Sequence, residues 1–440
     1  MSSELLPLVR VEKKTDAKKI AKRIRTRSDG LPVAMKSAER IVRTVRAKGD
    51  EALLRYSRDL DGLTLSAGEL AVSKEEIGAA FERASPDLLD AMRFALKRIR
   101  RTQGQLLSRL PFSYVADGFV IRCVVRPLDS VGCYIPGGRA SYASTVLMTA
   151  GVAKLAGVRR VVLCTPPSRG KGGDSAKIGD AILAAAKLCG VDEVYRVGGA
   201  QSIAALAYGT ESIPKVSKIV GPGGLYVSAA KKIVSADVPI DFLAGPTEMV
   251  VVGDAAADAR LAAWDLMAQA EHGEDSVCGL VTWDERLARE VRREVEKVSP
   301  TLQRSDYVRG CLRRGFTALC KDRDTAIELV NSLAPEHLEL MVDDAEEMAD
   351  SISNAGLILT GLYAPGAASD YVIGTDHVLP TEGVARLRAG LTALDFVKVS
   401  WVVEGTKRGL KAMLPSLKEL AMAEGLPNHF LSAQSRFRKR

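Results

Sequence analysis

The sequence predicts an α/β protein with two Rossmann-like parallel-sheet domains and small helical terminal modules. Three observations carry that reading. A strand-helix-strand rhythm starts near residue 131 and resumes after 249; the chain on either side has helical periodicity; and 440 residues at 47% apolar content can fill more than one core.

In chain order, residues 1–27 read as an N-terminal helical arm. Helices continue through the opening third: Ser73 with Glu76 forms a capping box, and Leu88, Leu89, Met92, Leu96 and Ile99 recur on one helical face. Strand-like Val131 to Ile135 then enters Pro136-Gly137-Gly138. A helix around 145–156 stops at Gly157 before the strand 161–164. A polar loop over 166–175, a helix around 178–188, a strand over 193–197 and further short alternations lead to Asp241. The second set begins at Met249, with strands over 250–253 and 280–283 flanking a helix around 261–272. After about residue 392 the pattern turns helical again. The expected organisation is therefore 28–133 with 249–391 as one discontinuous α/β domain, 134–248 as a second, and 392–440 as a C-terminal module. No G-x-G-x-x-G fingerprint follows a strand, so a nicotinamide cofactor has to be held without it.

The chain contains only four histidines, each in a polar setting punctuated by glycine or proline. His272 ends Gln269-Ala270-Glu271-His272-Gly273, His337 follows Pro335-Glu336, His377 follows Thr375-Asp376, and His429 follows Glu424 by five residues. On a helix, Gln269 and His272 lie three apart and share a face, as two ligands of one metal must. Zinc needs four or more donors, and Asp370 and His429 are candidates for the others. The competing reading of His272 is a helix-end histidine favoured by the helix dipole. Glu336-His337 offers a base beside a second proton-transfer group; its competing reading is a surface carboxylate next to an ordinary histidine. Gly221-Pro222-Gly223-Gly224 and Ala244-Gly245-Pro246-Thr247-Glu248 read as tight turns at strand ends, where open α/β sheets bind ligands. Seven cysteines without a C-x-x-C pair read as reduced, mostly buried thiols.

Taken together, these stretches resemble the histidinol dehydrogenase family from about residue 36 to 435. The segments that carry the likeness are Val131-Gly132-Cys133-Tyr134-Ile135-Pro136-Gly137-Gly138, Gly198-Gly199-Ala200-Gln201, Ile240-Asp241-Phe242-Leu243-Ala244-Gly245-Pro246-Thr247-Glu248 and Gln269-Ala270-Glu271-His272-Gly273. Pro335-Glu336-His337-Leu338, Gly374-Thr375-Asp376-His377-Val378-Leu379-Pro380-Thr381 and Glu424-Gly425-Leu426 with His429 complete it in the same order. The resemblance implies oxidation of L-histidinol to L-histidine with zinc and NAD as cofactors. It implies Gln269, His272, Asp370 and His429 as zinc ligands and Glu336 and His337 as the proton-transfer pair. Substrate contacts would come from Thr247, Gln269, His272, His337, Asp370, His377, Glu424 and His429, and cofactor contacts from Tyr134 and Gln201 in the 134–248 domain. It further implies a homodimer whose C-terminal modules intertwine, with Glu424 and His429 reaching the partner's site. This chain departs from the family pattern in three residues: Gly224 stands where asparagine is usual, Thr247 where serine is commoner, and Asp376 where asparagine is usual. The loop over 166–175 also exceeds the average length.

The sequence also bears on partners and location. No apolar run approaches the roughly 20 residues of a membrane span, and the first ten residues lack a secretory signal pattern, so a cytoplasmic protein without membrane contact is expected. Net charge is +8, concentrated in 13–27, 97–101 and 436–440. No aromatic residues interleave with those charges, so solvated helix faces, not a nucleic-acid surface, are expected. Two enzyme alternatives stay open: a paralogous zinc- and NAD-dependent dehydrogenase of another small polar alcohol, and a zinc hydrolase. A covalent thiohemiacetal on cysteine is a rival route, but no cysteine has an adjacent histidine or acid.

Overall fold

Strand Glu248–Gly253 shows why the sheets are parallel and covered on both sides. Its alternate residues enter two different cores, Val250 and Val252 into one and Met249 and Val251 into the other. A strand buried on both faces needs helices above and below, which crossover connections supply. The computed structural model describes residues 4–25, 31–137, 141–169 and 176–437. The first sheet has six parallel strands, in the order Leu8–Val11, Phe316–Cys320, Val277–Thr282, Glu248–Gly253, His337–Met341, Leu357–Thr360. The second has four parallel strands, in the order Glu193–Tyr195, Arg160–Cys164, Ser130–Tyr134, Lys218–Val220. In each, the strand order reverses beside the first strand of its βα series, next to Glu248–Gly253 and next to Ser130–Tyr134. The expected α/β class with two Rossmann-like sheets is the observed one.

Helix Ala143–Leu155 is buried from Thr145 to Ala153 because it lies between the four-stranded sheet and helix Pro86–Ser108. The periodic face of Pro86–Ser108 meets it through Met92, Leu96 and Ile99; each such side chain contributes roughly 1.5–3 kcal/mol on burial. The capping box expected at Ser73 is half formed. Ser73 Oγ accepts from Glu76 N at 3.1 Å, but the Glu76 carboxylate pairs with the buried Arg196 instead.

Three groupings differ from the sequence expectation. The helices between 31 and 108 pack chiefly on the four-stranded sheet: Ala38, Ile41, Val42 and Val45 share a core with Ile203 and Leu206, and from 249–391 the segment around Val378 and Leu391 joins the core of Pro86–Ser108. The N-terminal arm is not purely helical, since Leu8–Val11 adds an edge strand beside Phe316–Cys320 and Lys14–Arg25 covers it through Ala17, Ala21 and Ile24. The boundary expected at 27/28 lies outside the described residues, as do Gly138, 170–175 of the polar loop and 438–440 of the basic tail. The C-terminal module opens with strand Val397–Gly405, which pairs antiparallel with Phe119–Pro127 and, through it, Phe112–Ala116. Alternating Val397, Val399, Trp401 and Val403 favour that extended pairing over a helix. Helices Lys407–Ala423 and Pro427–Ser435 follow. Among the described residues no helix is long and apolar enough to cross a membrane. Basic side chains of the N-terminal arm are partly spent in ion pairs, Lys14 with Asp324 and Lys18 with Glu328.

Candidate active site

A cavity of about 530 Å³ opens where the two parallel sheets face each other, and Thr145, Gly223, Thr247, His272, His337 and Asp370 are among its walls. The four-stranded sheet presents its C-terminal edge: Gly137 follows strand Ser130–Tyr134, and Pro222 to Gly224 follow Lys218–Val220. That is the switch point at which such sheets bind ligands. The six-stranded sheet presents the opposite edge. Thr247 and Glu336 immediately precede strands Glu248–Gly253 and His337–Met341, so the turn 244–248 stands at a strand start, not the strand end expected. At the six-stranded sheet's own switch point Asp254 bridges the two neighbouring loops, its carboxylate accepting from Ala256 N at 2.9 Å and Asp343 N at 3.3 Å.

Asp370 is the hub that gathers three of the four histidines. Its Oδ1 lies 3.4 Å from His337 Nε2, its Oδ2 4.0 Å from His272 Nε2, and its main-chain carbonyl 2.8 Å from His377 Nδ1. The short helix Gly366–Tyr371 carries it, and Glu339 Oε1 holds that helix's first amide, Gly366 N, at 2.5 Å. His337 is buried at the head of its strand, with Nδ1 3.2 Å from the Glu248 carbonyl. A carbonyl only accepts, so Nδ1 carries a proton and Nε2 faces Asp370 and the cavity. Burial works against a charged ring, yet the Glu336 and Asp370 carboxylates outweigh it and hold the His337 pKa well above its ordinary value. Burial likewise opposes Asp370's charge, but His337 keeps its carboxyl below the usual range. His377, tied also to Thr145 Oγ1 at 3.1 Å, is pushed down by burial.

Glu336 is fixed from two sides. Its Oε2 accepts from Thr247 Oγ1 at 2.5 Å and from Glu248 N at 2.7 Å, and lies 3.6 Å from His337 Nδ1. Thr247 in turn accepts from Gln269 Nε2 at 2.5 Å. Helix Ala259–Ala270 delivers Gln269; it is capped by Asp258, whose carboxylate accepts from Arg260 N and Leu261 N, a cap contributing about 1 kcal/mol. The helix ends before His272, but a last turn, His272 N to Gln269 O at 3.3 Å, keeps the two one turn apart. With its amide nitrogen committed to Thr247, Gln269 has its Oε1 left for another partner.

On the other wall, buried Tyr134 accepts from Gly199 N at 3.3 Å, and buried Gln201 keeps an Oε1 with no partner among the described residues. Neither lines the cavity directly. Tyr134 lies against the 221–224 turn, which comes so close that a Cβ on Gly221 would collide with the Tyr134 carbonyl, while the Gln201 side chain lies beside Gly199. Gly221 also has φ +113°, a conformation in which glycine is at ease. Glu424 and His429 are exposed on the C-terminal helices and are not among the cavity's walls. One chain thus does not assemble the expected ligand set: among the described residues no three His, Cys, Asp or Glu group as metal ligands. All seven cysteines are buried and unbridged, and none lines the cavity. Burial pushes Cys133 up to about 12, far from a thiolate nucleophile.

The family model described as histidinol dehydrogenase matches residues 25–437. The chain belongs to the histidinol dehydrogenase family. It is an enzyme, an NAD-dependent oxidoreductase. Histidinol dehydrogenase from Methanothermobacter thermautotrophicus is 43% identical over 399 residues, 90% of this chain and 92% of that one. The Bacillus cereus histidinol dehydrogenase is 44% identical over 403 residues, 91% and 92% of the two chains. The crystal structure of histidinol dehydrogenase from Elizabethkingia anophelis superposes with a TM-score of 0.89 at 32% identity, covering 98% of each chain. Two departures from the family pattern have a physical account. Asp376 is buried, and burial pushes its carboxyl well above the ordinary range, toward the uncharged form that asparagine always has. Gly224 has an ordinary φ of −67°, and an added Cβ would meet nothing within 4 Å, so neither strain nor space excludes a side chain there. Sequence reading passed over Tyr142, Ser144, Thr145 and Tyr371, which also line the cavity. The first three open the helix that follows strand Ser130–Tyr134 in the chain, a placement that could have found them.

Proposed function

We propose that this enzyme oxidises L-histidinol through L-histidinal to L-histidine, reducing two NAD, in the last steps of histidine biosynthesis. The observation that carries the reading is the buried Glu336–His337 pair, whose two side chains face one cavity with Asp370 between the histidines. Histidinol with excess NAD is expected to yield close to two NADH per molecule; a simple alcohol dehydrogenase stops at one and a zinc hydrolase forms none. A spectrophotometric end point decides this.

The orphaned Gln201 Oε1 and the glycine turn at the switch point suit a dinucleotide on the four-stranded side, with Tyr134 and Gln201 as its contacts. His272 and Asp370 would hold a shared zinc ion: both line the cavity, and His272 Nε2 and Asp370 Oδ2, a nitrogen and an oxygen donor of the kind zinc takes, lie 4.0 Å apart. Gln269 would be the third ligand and His429 of the partner subunit the fourth. Zinc would supply a fixed positive charge that anchors the substrate's amino and imidazole groups, and NAD the hydride acceptor. Thr247, His377 and the partner subunit's Glu424 would complete the substrate's contacts.

This chain's own residues then move the protons. With a zinc ion's charge at Asp370 offsetting the carboxylates that hold a second proton on His337, the ring would be neutral. Its Nε2 then takes the hydroxyl proton of histidinol as hydride leaves carbon, and Glu336 accepts a proton from the water that adds to histidinal. Thr247 and the Glu248 amide orient the Glu336 carboxylate for that task. His272→Asn and Asp370→Asn are each expected to lower retained zinc several-fold after dialysis, because each removes a direct donor. Full metal content in both variants would overturn the ligand set.

A homodimer fits what one chain leaves uncovered. One face of the three-stranded antiparallel sheet exposes Phe112, Tyr114, Val399, Trp401 and Val403, with Trp401 57% accessible. Such an apolar face next to the module bearing Glu424 and His429 is the expected contact with a second copy. Seven free thiols suit a cytoplasmic, reducing location.

A further inference from the structure

The Glu248 side chain has been given no part in the reaction, yet it and the residue's main chain together place four polar atoms against the catalytic dipeptide or the chain beside it. Its main-chain N donates to Glu336 Oε2 at 2.7 Å, and its carbonyl faces His337 Nδ1 at 3.2 Å. Its side chain reaches back: Oε2 accepts from Glu336 N at 3.3 Å and Oε1 from Glu382 N at 2.8 Å. The residue is 8% exposed and heads the central strand, paired so that Met249 lies beside His337. Glu382 sits at φ +55°, a left-handed conformation that a side-chain-bearing residue keeps only when its surroundings hold it.

We propose that Glu248 is a positioning residue for the second oxidation: its carboxyl clamps the Glu336 and Glu382 amides and thereby aims the Glu336 carboxylate at the attacking water. The proposal rests on the assignment of Glu336 as the water-activating base. Two converging amide donors call for two acceptor oxygens on one side chain, and only a carboxyl offers both. Glutamine keeps one oxygen and turns an N–H toward the other amide, leaving a buried donor unsatisfied at the edge that holds Glu336. The loosened carboxylate then loses its alignment, and misplacement on the scale of 1 Å costs up to about a hundredfold in rate.

A double-mutant cycle of Glu248→Gln and Glu336→Gln on the full-length enzyme, read as steady-state oxidation of histidinal, tests this. Glu248→Gln alone is expected to lower kcat about tenfold, with KM for histidinal and for NAD changed less than about twofold. In the Glu336→Gln background it should cost less than about threefold, because the carboxylate it aims is gone. If the two losses multiply, Glu248 acts independently of Glu336 and the proposal fails. If Glu248→Gln raises both KM values with kcat unchanged, its role is general architecture and the proposal likewise fails. If Glu336→Gln alone leaves histidinal oxidation intact, it is the functional assignment that falls, and this proposal with it. Thermal unfolding monitors integrity; should the glutamine variant not fold, Glu248→Asp, which keeps both oxygens one methylene shorter, goes through the same cycle.

Discussion

Glu336→Gln is expected to lower oxidation of histidinal by about a hundredfold or more, while hydride transfer from histidinol falls much less. The two half-reactions ask for different proton work. The alcohol step removes a hydroxyl proton, which His337 Nε2 is placed to take; the aldehyde step first needs a nucleophilic water, which requires a base. Glutamine keeps the size of the side chain and an acceptor for Thr247 Oγ1 and Glu248 N, so the surroundings in which Oε2 sits at 2.5 and 2.7 Å from them are preserved while basicity is lost. His337→Asn, by contrast, should slow both steps, because one imidazole accepts the proton in each. Stopped-flow NADH traces begun from histidinol and from histidinal separate the steps. Unchanged histidinal oxidation by Glu336→Gln would remove Glu336 from the role. The cysteine alternative would then have to work through thiols that are all buried and outside the cavity walls.

The second large effect is a recovery of activity from two inactive chains. His429→Asn and Glu336→Gln homodimers should each be nearly inactive in overall histidine formation, but the purified heterodimer should run at about half the unmodified rate. In that heterodimer one site draws intact Glu336 from one protomer and intact His429 from the other, and the second site holds both lesions. The motivation is positional: His429 and Glu424 are exposed on helices at the end of the chain, outside the cavity that holds Glu336, His337 and Asp370. Heterodimers verified by mass that show no recovery would mean that each chain completes its own site.

Local signals were legible wherever periodicity and punctuation agree. Alternating apolar runs bounded by glycine turns located the strands ending near Tyr134, Cys164 and Gly253, and the helices between them. Where contacts reach far along the chain, the pattern was silent. The strand Leu8–Val11 is four residues long and buries only Val11 fully, and it becomes a strand only because Phe316–Cys320, some 300 residues away, offers an edge. The helices before residue 108 carry apolar faces that would suit either sheet, so their partner could not be chosen from periodicity.

The same division holds for the site. The sequence by itself determined the family, through seven motifs in fixed order, and the adjacency of Glu336 to His337, which is covalent. It also determined that the few histidines stand beside acids and turns, because side-chain chemistry is written residue by residue. The tertiary structure alone decided that the cavity joins the C-terminal edge of one sheet to the N-terminal edge of the other, and that Asp370 collects three histidines spread over about a hundred residues. It alone revealed Glu248 beneath the catalytic pair and left Glu424 and His429 outside. Ligand geometry is set by which strands become neighbours, and that choice is made by burial of faces summed over whole sheets, not by any local run of residues.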